Sequence, residues 1–241
     1  MITKEVYKEF SKNGFNVIPL VKNLKTKISS PVELYSNIKN KKNTFLLESI
    51  EGGERWAQYS IIGLNCSDSI KISGSKIEIK KGTETELLNS DNPLDELDKI
   101  IGEYKSPEIK NLPRFYGGFV GFFAYESAQY AEKKIQSLIK KESKFNEHMP
   151  DIYLVKSEKI IVYDNFNQTL KVIFNADPSK ISYEEACDVL TEIEQSFGKT
   201  STYSRPDYSD ILGNNSFDSN FSKNEYICLL YTSDAADDLT R

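Results

Sequence analysis

"DIYLVKSEKIIVYDNFNQTLKVIF", residues 151–174, carries a strong strand pattern. Apolar and polar residues alternate along it, as they do where successive side chains point to opposite faces of a sheet. Within it, "DNFNQ" in residues 164–168 is rich in Asp and Asn, which favour turns. The stretch therefore predicts three strands in sequence.

Further strand patterns precede this stretch. "NTFLLESI", "AQYSIIG", "DSIKISG" and "KIEIKKG", between residues 43 and 82, are short β-rich runs separated by Gly, Ser or Asp. They predict an antiparallel meander. "NVIPLV", residues 16–21, predicts an extended segment that tolerates Pro19 at a sheet edge.

"RFYGGFVGFFAYE", residues 114–126, predicts an apolar strand that contains three glycines. Glycine lets another backbone or a ligand come close. "GGFVG" matches neither phosphate-binding glycine pattern, so tight strand packing is the favoured interpretation. Arg114 is interpreted as a surface or strand-end charge rather than an anion clamp.

Helical spacing and caps predict helices at residues 2–12, 29–40, 90–104 and 182–198. In the second, Val32, Tyr35 and Ile38 are expected to face inward. Ser182 and Glu185 form a capping box at the start of the last one. Strands and helices together predict an α+β fold of largely antiparallel, sandwich-like sheets with packed surface helices.

Composition restricts the class of protein. The 241 residues carry 31 Lys and Arg against 36 Asp and Glu, without a basic patch, which argues against a nucleic-acid partner. The longest apolar run, residues 119–125, is far shorter than the roughly 18 to 20 residues that span a bilayer. Three scattered cysteines suit a reducing compartment. We therefore expect a cytoplasmic protein without a membrane role.

The sequence offers little for catalysis or metal binding. Its one histidine, His148, lies in a predicted loop and is better explained as a solvent-facing residue than as a catalytic base. The cysteines are too far apart for a zinc site. We therefore assign no catalytic residue and no metal ligand.

"LLESIEGGERWAQYSIIG", residues 46–63, places polar Glu48 and Ser49 in an apolar strand. A carboxylate on an apolar row must be paired or face a pocket, because burial alone costs several kcal/mol. Glu48 pairs with Arg55 in one interpretation. In the other, Glu48 binds an amino group and Ser49 adds a hydrogen bond, each contact contributing roughly 1.5 to 3 kcal/mol.

Five motifs, taken in order, resemble the N-terminal domain of the anthranilate synthase component I family, over about residues 10–226. They are "PVELY", "FLLESIEGGERWAQYSIIG", "LPRFYGGFVGFFAYE", "MPDIYLVKSEKIIVYDNFNQTL" and "SNFSKNEY". The related aminodeoxychorismate synthase component I shares the later part. "LLESIEGGERW" is more similar to the anthranilate enzyme.

The resemblance implies a reaction and partners. The family forms anthranilate and pyruvate from chorismate, in the first committed step of tryptophan synthesis. It uses Mg²⁺ and ammonia from a glutamine amidotransferase subunit, component II. Its N-terminal region helps form the tryptophan feedback site, at the "LLES" element. The resemblance thus implies that Glu48 and Ser49 bind the inhibitor, with Tyr59 and Ser60 as weaker candidates.

The resemblance also divides the chain. Residues 1–215 correspond to the regulatory domain, 216–226 to the start of the chorismate-binding catalytic domain, and 227–241 to a non-native tail. Ser222 and Glu225 predict a helix start, but no core stripe continues beyond Leu230. Catalytic residues and Mg²⁺ ligands are then outside this chain, and the fragment alone is predicted to be inactive. A fragment of aminodeoxychorismate synthase component I and a stand-alone amino-acid-binding module are the alternatives.

Overall fold

The structure is a computed structural model that describes residues 2–24, 30–36, 38, 43–48, 58–110, 112–132, 134, 149–197 and 219–237. The chain divides into two compact units, Met1–Tyr203 and Ser204–Arg241. His148 and residues 49–57 are outside the described residues.

The first unit contains ten strands among its described residues. They are β1 (Ile18–Leu24), β2 (Phe45–Glu48), β3 (Tyr59–Leu64), β4 (Ser69–Ser73), β5 (Lys76–Lys81), β6 (Glu84–Asn89), β7 (Gly118–Phe123), β8 (Ile152–Ser157), β9 (Lys159–Asp164) and β10 (Thr169–Ala176). Its helices are α1 (Lys4–Lys12), α2 (Pro31–Ser36), α3 (Pro93–Gly102), α4 (Ala128–Ala131) after a 3₁₀ turn at Tyr125–Ser127, and α5 (Tyr183–Phe197).

The strands form two five-stranded antiparallel sheets. The first sheet has the order β1-β10-β9-β3-β2, and the second has the order β6-β5-β4-β8-β7. These sheets with their helices confirm the predicted α+β class. The 151–174 stretch forms three strands as predicted, although β8 belongs to the second sheet while β9 and β10 belong to the first. Glu158 alone separates β8 from β9.

Each sheet buries an apolar face beneath helices. On the first sheet, Leu20, Ile62 and Leu170 pack with Leu34 of α2 and Leu190 of α5. On the second sheet, strand isoleucines pack with residues of α3, and this cluster contains Ile72, Ile77, Ile152, Leu97 and Ile100. Burial of such side chains from water is the main force that fixes helices on sheets.

The predicted caps at α5 and α2 are confirmed, whereas Asn92 at the start of α3 makes no side-chain capping hydrogen bond. At α5, the Ser182 backbone N–H donates to Glu185 Oε2 at 2.8 Å, and the Glu185 N–H donates to Ser182 Oγ at 3.3 Å. At α2, the Glu33 N–H donates to Ser30 Oγ at 3.2 Å, with Pro31 in the first helical position. These bonds satisfy N–H groups that have no partner inside a helix.

Two sequence expectations need correction, whereas the strand predicted within residues 114–126 forms as β7. The meander predicted for residues 43–82 is split, because β2 and β3 join the first sheet while β4 and β5 join the second. Val32 does not face inward: its side chain is 47% exposed, and Leu34 is buried instead. The apolar β7 is an edge strand with largely exposed residues. Pro19 lies in the edge strand β1, as predicted.

The second unit contains a helix, α6 (Lys223–Asp237). It begins after the predicted capping box, in which the Ser222 N–H donates to Glu225 Oε2 at 2.8 Å. Tyr226, Ile227 and Leu230 on it are exposed. Within the described part of the chain, no helix combines the length and apolar character needed to cross a membrane.

Gly121 provides a test of the β7–β8 pairing. A Cβ added there would overlap the carbonyl oxygen of Tyr153 and lie 2.9 Å from Leu154 Cα, so backbone atoms would have to move. We expect Gly121→Ala to lower the free energy of unfolding by about 1–3 kcal/mol, measured by urea denaturation. Gly102→Ala is the control, because its Cβ meets open space at the end of α3. Equal effects of the two substitutions would contradict the close approach.

Candidate functional site

The predicted inhibitor-site residues that the structure describes lie at the β2 edge of the first sheet. Glu48 ends the edge strand β2, and Tyr59 and Ser60 begin its neighbour β3. Glu48 is in register with Ser60. Ser49 is outside the described residues, and so is Arg55, the alternative partner of Glu48.

Glu48 and Ser60 share one face of the sheet. Residues in register on adjacent strands point the same way, and Ser60 is also in register with Tyr163 on β9. This row begins with Glu48, which is exposed. It continues with Ser60, a residue that is 2% exposed, and then with buried Tyr163. Leu46, two residues before Glu48 on this face, packs against the apolar core. Glu48 thus shares a face with Leu46, as the alternation predicted, but it is exposed, so the burial cost expected for its carboxylate does not arise.

Asn165 is a neighbour of this row that sequence reasoning missed. Its side-chain Nδ2 donates to Ser60 Oγ at 3.1 Å, and its backbone N–H donates to the carbonyl of Gln58 at 2.7 Å. Asn165 follows β9 directly, in the turn that precedes β10. The register of β9 against β3 brings Asn165 next to Ser60. The alternating strand pattern of the sequence does not give that register.

Tyr59 lies on the opposite face, because side chains alternate along β3. It packs with Ile61 against a second apolar cluster that contains Ile160 and Val162. Burial, together with the negative charge of Asp164, raises the pKa of Tyr59 above its ordinary value. The structure therefore brings Glu48 and Ser60 together but does not bring Tyr59 to their face.

Asp164 fixes the turn beside these residues. Its carboxylate accepts hydrogen bonds from the backbone N–H groups of Phe166 and Asn167, both at 3.0 Å, and from the side chains of Asn167 at 2.9 Å and Gln58 at 3.2 Å. Burial by itself would raise the pKa of Asp164, but these hydrogen bonds outweigh it, so the pKa lies below its ordinary value. Asp164 thereby holds β3, β9 and β10 in a fixed relation at this end of the sheet.

This edge presents two side chains with oxygen acceptors, Glu48 and Ser60. An exposed carboxylate beside a buried hydroxyl offers acceptor atoms suited to an ammonium group. Among the residues that the structure describes, no group of three His, Cys, Asp or Glu side chains is arranged to hold a metal ion.

Comparison with curated proteins identifies relatives named anthranilate synthase component 1. The protein of Neisseria gonorrhoeae is 38% identical over 202 residues, which are 81% of this chain and 41% of the relative. That of Pseudomonas aeruginosa is 33% identical over 194 residues, 80% of this chain and 39% of the relative. The chain thus spans about 40% of the length of the curated relatives it matches.

Similarity to solved structures is weaker. A crystal structure of anthranilate synthase component I from Streptococcus pneumoniae aligns at a TM-score of 0.49 and 24% identity, covering 75% of this chain and 37% of that one. This likeness is too distant to support an argument. No family model matches the chain.

The fold defines an α+β protein built on two antiparallel sheets. The sequence identities show that this protein is a homologue of anthranilate synthase component 1 over about four fifths of its residues. The relationship that the five motifs indicated is thereby confirmed.

Asp164→Asn tests the hydrogen-bonded turn. The folded-state pKa of Asp164 is lowered, so its stabilisation is complete above the unfolded pKa of about 3.9 and is lost as the pH falls through the lower folded value. At pH 7 we expect the substitution to lower the free energy of unfolding by about 1–3 kcal/mol, because charge-assisted hydrogen bonds are lost. This difference should shrink in acid, where the native carboxyl also becomes neutral.

Urea denaturation at pH 7 and near pH 3 measures both effects. The exposed Asp91 provides the control substitution, Asp91→Asn, which should leave stability nearly unchanged at both pH values. A stability difference for Asp164→Asn that stayed constant from pH 7 to pH 3 would rule out the carboxylate charge as its cause.

Proposed function

We propose that this chain is the regulatory part of an anthranilate synthase component 1. The full-length enzyme would form anthranilate and pyruvate from chorismate, at the start of tryptophan synthesis. The 38% identity over 202 residues to a relative of that name supports this proposal most directly. The five sequence motifs indicate the same family.

The chemical step belongs, in this proposal, to residues that this chain does not contain. The chain spans about 40% of its curated relatives, and its described part lacks a metal-ligand cluster. In this proposal, the ligands of the Mg²⁺ that the family implies lie outside the described residues. Ammonia would come from a glutamine amidotransferase subunit, component II. A cytoplasmic location remains part of the proposal.

The proposed task of this chain is to bind L-tryptophan as a feedback inhibitor. Glu48 would accept hydrogen bonds from the ammonium group, while Ser49 and Ser60 would add hydroxyl contacts. The shared face of Glu48 and Ser60 supports this arrangement. A ligand beside Ser60 would also adjoin Asn165, which already donates to the Ser60 hydroxyl. Tyr59 could influence such a site only through the β3 backbone, since it faces the other way.

Calorimetric titration with L-tryptophan tests the binding role. We expect Glu48→Gln to weaken binding about tenfold or more, because a charge-assisted hydrogen bond contributes roughly 1.5 to 3 kcal/mol. Ser49→Phe should abolish binding by filling the space for the ligand. In a full-length enzyme, the same Ser49 substitution should relieve tryptophan inhibition and leave chorismate turnover nearly intact.

Glu86→Gln is the matched control, because Glu86 is an exposed strand carboxylate on β6 of the second sheet. It should leave the affinity unchanged. Indole-3-propionate, which lacks the amino group, should bind weakly to the native chain and show no loss on Glu48→Gln. Equal affinities for the Glu48 and Glu86 variants would refute the site. A full-length enzyme insensitive to tryptophan would favour the alternative, aminodeoxychorismate synthase component I.

The second expectation concerns catalysis. The purified chain, supplied with chorismate, ammonia and Mg²⁺, should form no anthranilate above background. The fluorescence of anthranilate measures its formation. Full-length component 1 from Neisseria gonorrhoeae is the positive control. Measurable turnover by the chain alone would show that the catalytic residues are present after all.

A further inference from the structure

A cavity of about 460 Å³ lies where the two sheets adjoin. We call it the inter-sheet cavity. Asn175 of β10, Ser157 of β8 and Phe119 of β7 line it, with Tyr104 and Ser106 from the segment after α3. Its volume is in the range of about 300 to 1,000 Å³ that is usual for small-molecule sites. Of the predicted inhibitor-site residues, the three that the structure describes, Glu48, Tyr59 and Ser60, do not line it.

Unsatisfied polar atoms are concentrated in this cavity. Within the described part of the chain, three buried side-chain atoms lack a hydrogen-bond partner, namely Ser106 Oγ, Ser157 Oγ and Asn175 Oδ1. All three residues line the inter-sheet cavity. Ser157 and Asn175 are 1% and 5% exposed. Buried polar atoms nearly always have a partner, so three such atoms around one hollow indicate a polar occupant.

The orientation of Asn175 defines what that occupant must offer. Its Nδ2 donates to the carbonyl of Tyr116 at 2.8 Å and to that of Glu158 at 3.3 Å. Rotating the amide would place its oxygen against these two carbonyl oxygens, so the hydrogen bonds fix Oδ1 as the unpaired acceptor. A ligand that satisfies it must present an N–H or O–H group.

Ser157 gives a second polar contact. The Cys66 thiol approaches its hydroxyl. A thiol is a weak hydrogen-bonding group and does not replace an oxygen or nitrogen partner. The Ser157 hydroxyl can therefore still bind a stronger partner from the cavity.

Charge at the cavity favours an acid. Lys156 and Arg114 both line it. Lys156 is already compensated, because its Nζ lies 2.8 Å from Glu158 Oε1 and 4.0 Å from Asp68 Oδ2. Arg114 is exposed and forms no ion pair with any carboxylate in the described ranges. Its guanidinium is suited to bind a carboxylate through two parallel hydrogen bonds.

The remaining wall suits an aromatic ring. Tyr104 and Phe119 meet edge to face, with ring centroids 5.3 Å apart. Tyr116 contributes a third aromatic side chain. Apolar and aromatic walls with a few fixed polar groups are the usual composition of a small-molecule pocket.

We propose that the inter-sheet cavity binds a small aromatic acid. Its carboxylate pairs with Arg114, its ring packs against Tyr104 and Phe119, and its N–H or O–H group donates to Asn175 Oδ1. This inference does not rest on the proposed function, because it uses a different set of residues and a different part of the first sheet.

Two hydroxylated acids serve as probes, 4-hydroxybenzoate and the longer 3-(4-hydroxyphenyl)propionate. Titration of the full chain, followed by protein NMR, should show saturable binding of at least one of them. Benzoate and 3-phenylpropionate lack the donor and should bind several-fold more weakly. Arg114→Gln should weaken binding about tenfold or more, the size expected for a lost charge-assisted contact.

Lys110→Gln is the matched control, because Lys110 is exposed and does not line the cavity. It should change the affinity less than twofold. Ser157→Ala gives an independent readout: it should weaken binding but leave unfolding by urea unchanged, since the hydroxyl lacks a strong partner in the free chain. Circular dichroism verifies that each variant is folded.

Three results would overturn the proposal. The first is the absence of binding by both hydroxylated acids up to 20 mM, which would leave water as the occupant. The second is an equal affinity for the acids with and without the donor group. The third is an Arg114→Gln variant that binds as well as the Lys110→Gln variant.

Discussion

The fold depends on how the chain passes between its two sheets, and two links accomplish this. Glu158 alone joins β8 to β9, and residues 65–68 join β3 to β4. Lys156 connects these links, because its backbone N–H donates to the Asp68 carbonyl at 2.9 Å. Its Nζ lies between the carboxylates of Asp68 and Glu158. One lysine thus ties together both places where the chain changes sheets.

Lys156 is only 9% exposed, and its burial is acceptable because its charge is compensated. The ammonium group also lies 4.7 Å above the centre of the Tyr104 ring. An isolated buried ammonium would be costly, whereas two carboxylates and an aromatic face replace much of its hydration. Such a pair contributes little net stability, but removing one partner leaves an uncompensated charge. The arrangement therefore favours a specific junction between the sheets more than it strengthens the fold.

Much of the fold follows from local sequence patterns. Alternation located the three strands of residues 151–174, and the cap at Ser182 located α5. The division of residues 43–82 between two sheets was not predictable from the same patterns. Residues 65–68 contain Ser and Asp, as hairpin turns do, and only the pairing of β4 with β5 and β8 distinguishes a crossover from a hairpin. The inward orientation predicted for Val32 is wrong, because a helix of six residues is too short for its periodicity to define the buried side.

The candidate site shows the same limit. Alternation correctly placed Glu48 on the face of Leu46, because this relation exists within one strand. Alternation also places Tyr59 and Ser60 on opposite faces of β3. The family resemblance grouped the two residues in one site and gives no information on their faces. Asn165 became visible only through the pairing of β3 with β9, which joins residues about a hundred positions apart. Contacts across strands depend on register, and register is set by the whole sheet.

The Glu48–Ser60 edge and the inter-sheet cavity lie at opposite ends of the first sheet. Ser60 lies beside the turn that starts β10, while Asn175 lies near the end of the same strand, five residues beyond Leu170. At about 3.3 Å per residue, this separation is on the order of 17 Å along the strand. The strands between them are packed on both faces, with Ile161 and Val172 on one side and Ile160 and Val162 on the other. Sliding of one strand would expose both sets of side chains, so this part of the sheet resists such a shift.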